Sequence, residues 1–133
     1  MENYVSRCVQ HTRLIMCTDE DQPIVEEIYV GFDSNSNLVF ELIHTDYEDS
    51  DRCSAGLIIV PHGYACKLSR QLKTPLENLP DKIHYYLEEW GEIINASFDD
   101  ARNCFGEIVD CLVYHGCRYR IVRRYPRRGR CCI

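Results

Sequence analysis

The sequence predicts an α+β domain: a mostly antiparallel sheet, formed by an N-terminal meander plus a C-terminal strand, packed on one face by about three helices. Three observations predict it. Short apolar or alternating runs crowd into the first 60 residues. A 3.6-residue apolar period then runs from about residue 64 to 116, and after Gly116 the period returns to two. Strands and helices that segregate along a chain in this way argue against a parallel βαβ array.

Thr12 to Cys17 is a short apolar run closed by the acidic turn Thr18 to Asp21, and reads as a strand. Ile24 to Phe32 is β-branched and aromatic, with Ile24, Glu26, Ile28, Val30 and Phe32 alternating with Val25, Glu27, Tyr29 and Gly31. The polar loop Asp33 to Asn37 joins it to Leu38–Thr45, whose Leu38, Phe40, Leu42 and His44 share one face. These two strands are expected to pair. The acidic loop Asp46 to Arg52 leads to Cys53–Val60, which ends in the central-strand signature Leu57-Ile58-Ile59-Val60.

Pro61-His62-Gly63 breaks that run, and Tyr64 to Lys73 reads as a helix with Ala65, Leu68 and Leu72 inward. Thr74-Pro75-Leu76-Glu77 has the form of a helix start, with Pro80 restarting the helix. Ile83, Tyr86, Leu87, Trp90 and Ile94 then make one helical face. Ser97 to Gly116 is the longest helix. Phe98, Ala101, Phe105, Ile108, Leu112 and His115 form its face, with Cys104 and Cys111 on one edge and Val109 and Val113 on the other. Ser97 is the expected cap and Gly116 the expected left-handed C-terminal residue. Cys117 to Tyr125 alternates as a strand with Arg118, Arg120, Val122 and Arg124 facing outward. The expected organisation is a single domain over 1–125 and a flexible basic tail over 126–133.

Apolar and charged contents of 45% and 27% are those of a globular chain, not a disordered one. No run approaches the ~20 apolar residues of a membrane span. The opening MENYVSRCVQ lacks the charged and apolar regions of a signal peptide, so a cytoplasmic location is expected. The nine cysteines include no CxxC pair, and most are expected to be reduced and packed as small hydrophobes. Up to Gly116 the chain carries 8 Lys and Arg against 21 Asp and Glu; beyond it come 7 Arg and no acid. An acidic body with an arginine-only end is its most unusual compositional feature.

Chemistry-bearing motifs are few. There is no P-loop, GxGxxG or GxSxG, so catalysis is the minority reading and no cofactor is expected. His62 with Cys66, and Cys111 with His115, are spaced four apart on helices, and together would offer a Cys2His2 set for zinc. Cys66 with His62 or His44 would be the dyad of a thiol enzyme. The terminal Cys-Cys-Ile has Arg130 where a prenylation box needs cysteine.

The leading expectation is a macromolecular-interaction protein of the inhibitor, immunity or adaptor type, binding a protein partner. Its contact residues would be Asp46, Glu48, Asp49 and Asp51 in the acidic loop and Arg118, Arg120 and Arg124 on the edge strand. Asp19 to Asp21 form a second acidic cluster. The arginine strand and tail would alternatively bind an anion or nucleic acid, although the acidic body would repel a polyanion. An arginine-faced edge strand also offers a homodimer seam.

Overall fold

The computed structural model describes residues 7–18, 21–90 and 98–124. The elements run β1 (Gln10–Cys17), β2 (Ile24–Phe32), β3 (Leu38–Asp46), β4 (Ser54–Val60), α1 (His62–Gln71), α2 (Leu79–Trp90), α3 (Phe98–Tyr114) and β5 (Arg120–Arg124). The five strands form one antiparallel sheet in the order β1-β2-β3-β4-β5. The α+β architecture expected from the sequence is therefore the one observed, and the last strand returns to pair with β4. Ile94, Ser97, Asp19, Glu20 and the 126–133 tail lie outside the described residues.

Local chemistry explains the joints. Between β2 and β3, the Asp33 carboxylate accepts the backbone N–H groups of Asn35 and Asn37 at 2.9 Å each, and Ser36 takes the left-handed conformation the turn requires. The helix expected from Thr74 starts later. Pro75 precedes a 3-10 turn over Leu76–Asn78, and the α-helix begins at Leu79. Pro80 thus falls in the first turn, where its missing N–H leaves nothing unsatisfied. α3 ends as its glycine predicts. Gly116 has φ +70°, the Gly116 N–H donates to the Val113 carbonyl at 3.0 Å, and Cys117 N–H donates to Leu112 at 2.9 Å. That pair of bonds is a Schellman cap.

All three helices cover one sheet face. Ala65 and Leu68 of α1, Ile83 and Leu87 of α2, and Ile108 and Leu112 of α3 join Ile28, Val30, Phe40 and Ile58 in the main core. The buried arc of α3 runs through Cys104 and Cys111, whereas Val113 on the other edge is exposed. The opposite sheet face also has a core of its own. Val39, Leu57 and Ile59 pack there with Cys8, delivered by the segment preceding β1. A sheet buried on both faces accounts for the continuous apolar run of β4.

Candidate functional site

Along the helix-covered face, four strands change character at the same end of the sheet. β2 reads Phe32, Val30, Ile28 and then Glu26; β3 reads Leu38, Phe40, Leu42 and then His44. β4 reads Val60, Ile58 and then Gly56 and Ser54, and β5 places Arg123 there. The register aligns these switches. Glu26 is opposite His44, which is opposite Ser54, while Leu42, Gly56 and Arg123 form the next row. The apolar contacts that hold helices down on this face therefore stop one row short of its end. A cavity of about 520 Å³ opens there, roofed by Arg102, Phe105 and Gly106, which lie three and four apart on one face of α3. Arg52, from the β3–β4 loop, completes the rim.

The cavity is unusual for so acidic a chain: three arginines and one acidic residue line it. That acidic residue, Glu26, is only 4% exposed. Its Oε2 lies 3.2 Å from Nδ1 of His44, while its Oε1 is buried with no hydrogen-bond partner among the described residues. A buried carboxylate oxygen left unpaired is costly. Arg52 makes an exposed contact with Asp49 at 3.4 Å, a pairing of little strength. Arg102 and Arg123 make no ion pair among the described residues. Gly56 and Gly106 leave the space open: a Cβ on Gly56 would meet the Phe105 ring at 3.7 Å, and one on Gly106 would meet nothing.

Compared with known families, curated proteins and solved structures, the chain matches none.

Of the acidic residues singled out from the sequence, Asp21, Asp46, Glu48, Asp49 and Asp51 lie in the β1–β2 turn and the β3–β4 segment at the same sheet end. The β1–β2 turn and the β3–β4 loop are joined there by the Tyr47 N–H, which donates to the Pro23 carbonyl at 2.8 Å. Tyr47 itself is 68% exposed, and Glu48, Asp49 and Asp51 beside it are exposed. Asp46 differs: it is buried, its Oδ1 accepting the Glu48 and Asp49 N–H groups at 3.0 Å each, so it shapes the loop from inside. Of the arginines, Arg118 and Arg120 are exposed. Arg124 is half-buried on the face opposite the helices, where its charge acts on Glu41.

The histidine–cysteine pairs form as pairs. His62 Nδ1 lies 2.9 Å from the Ser36 carbonyl and its Nε2 lies 3.4 Å from Cys66 Sγ. Donation from Nδ1–H to Ser36 leaves Nε2 to accept the thiol proton. At the end of α3, His115 Nδ1 donates to the Cys111 carbonyl at 2.8 Å and so caps the helix, and burial pushes the Cys111 thiol up to about 11. Among the described residues no group of three or more His, Cys, Asp or Glu is placed to hold a metal ion, so the four residues are not gathered into one site. Among the described residues Cys66, Cys104, Cys111 and Cys117 carry free thiols. Among the described residues no helix is long and apolar enough to cross a membrane.

Glu26, Arg52, Arg102 and Arg123 were not singled out by the sequence. Each comes from a different part of the chain: cross-strand register sets Glu26 and Arg123 in neighbouring rows, and tertiary packing adds Arg52 and Arg102. The one available signal was the loss of apolar character at one end of β2, β3 and β4 in turn.

Proposed function

We propose that the chain is a protein-binding protein whose partner is basic and docks on the acidic end of the sheet. The observation that carries this reading is Tyr47, 68% exposed at the junction of the two acidic turns. An aromatic side chain held by a hydrogen-bonded backbone loses little entropy on binding and is the residue type that anchors interfaces. The exposed carboxylates of Asp21, Glu48, Asp49 and Asp51 surround it and would steer a cationic surface toward it.

The test is isolation of the chain from its own host after brief crosslinking, with wild type compared with Tyr47→Ala and with a Glu48→Lys/Asp51→Lys double variant. A basic protein recovered in stoichiometric amount with wild type is expected to bind Tyr47→Ala at least about tenfold more weakly. The charge-reversed variant should slow association, most strongly at low salt. A partner that binds all three alike would remove this reading.

A further inference from the structure

Beyond partner binding, the cavity between the sheet and α3 has the chemistry of a small-molecule site. We propose that it binds a phosphomonoester that also carries a hydrogen-bond donor, an amine or hydroxyl, within the same small molecule. The volume of about 520 Å³ is in the range of ligand pockets. Arg52, Arg102 and Arg123 come from the β3–β4 loop, α3 and β5, and all three line one space. Guanidinium forks are the side chains best matched to phosphate oxygens.

Charge selects among anions. Three guanidiniums set against Glu26 leave an excess of two positive charges, the complement of a phosphomonoester, which carries about −1.5 to −2 at neutral pH. Glu26 selects within that class. With Oε2 on His44 and Oε1 buried and unpartnered among the described residues, Glu26 puts a negative charge in the lining that repels a plain anion, and its orphaned oxygen would gain from a donor that reached it. Leu42 and the Phe105 ring supply the apolar wall between the two polar ends. A polyanion would face the acidic turns around the same sheet end, whereas a small molecule passes between them.

The experiment is an amide NMR titration of the full chain with two probes, phosphoethanolamine and ethyl phosphate, which differ in the ammonium group. Saturable shifts at Ser54, Gly56 and Gly106 are expected with phosphoethanolamine, and binding at least about tenfold weaker with ethyl phosphate. The exposed pair Arg102→Gln/Arg123→Gln should abolish both, and Glu26→Gln should reduce the first probe to the level of the second. Because Glu26 is buried, Gly106→Leu is the companion variant: it fills the cavity from an open helix position without altering charge, and should also abolish binding. Non-saturating shifts that spread to Arg118 and Arg120, unchanged binding by the double arginine variant, or equal affinity for the two probes would each overturn the proposal.

Discussion

Glu41 sits mid-strand in β3, wholly buried on the sheet face opposite the helices. Burial raises its carboxyl above the ordinary 4.5, opposed by the backbone N–H groups of Arg7 and Cys8 and by the charge of Arg124. The sign of the linkage follows. Between 4.5 and its raised folded value, the native state holds a proton that the unfolded chain has lost, so stability from this group falls as pH rises through that window. Glu41→Gln, which cannot ionise, should therefore gain on wild type between pH 4 and pH 7, by about 1.4 kcal/mol for each unit of elevation. Urea titrations of both proteins at the two pH values measure it; a difference independent of pH would mean that Glu41 is not held in this way. None of this was legible in the sequence, where Glu41 shares a strand face with Val39 and Ile43 and nothing says what covers that face. Only the second core, with the segment around Cys8 lying across it, makes that position an interior one.

At the scale of elements, periodicity placed β2 with its observed bounds and α3 nearly so, because both are long and keep one period throughout. It failed where a proline or a crossing segment intervened. β1 begins at Gln10, and its register to β2 shifts between Gln10 and Arg13, with His11 left-handed at φ 53°. Gly31 opposite explains the kink. A Cβ there would sit 3.0 Å from the Gln10 carbonyl oxygen and 3.1 Å from both Cys8 Cβ and Thr12 Oγ1. Gly31→Ala should therefore cost about 1–3 kcal/mol in denaturant unfolding, whereas Gly106→Ala, with open space around it, should be neutral or slightly stabilising. Equal behaviour of the two variants would show that β1 is free to move away from β2.

Across the whole molecule, the thiols report how completely the two cores exclude water. Burial, first among the causes, pushes Cys8 and Cys104 up to about 12 and Cys111 up to about 11, so at pH 8 all three are protonated and shielded. They lie in separate parts of the structure: Cys8 against β3, Cys104 and Cys111 on α3. Pulsed iodoacetamide labelling at pH 8, read by peptide mass spectrometry, should modify the half-exposed Cys17 and Cys66 first. The other three should follow together at the rate of global unfolding, because each opens only when its core does. Early labelling of Cys8 alone would reveal the second core as an independently opening unit. The sequence made the class of fold readable through its sequence-ordered periods, while the cavity and the second core stayed hidden because both are made by contacts between residues distant along the chain.

The position of β5 has a consequence for synthesis. β4 is complete at Val60, but the strand that covers its free edge ends at Arg124, 64 residues later. At ribosomal rates of about 5–20 residues per second, that interval is roughly 3–13 s. During it, the nascent chain presents the unpaired edge of its most apolar strand to whatever waits at the exit tunnel. The protein is therefore at its most adhesive while still attached to the ribosome, before its own last strand has been made.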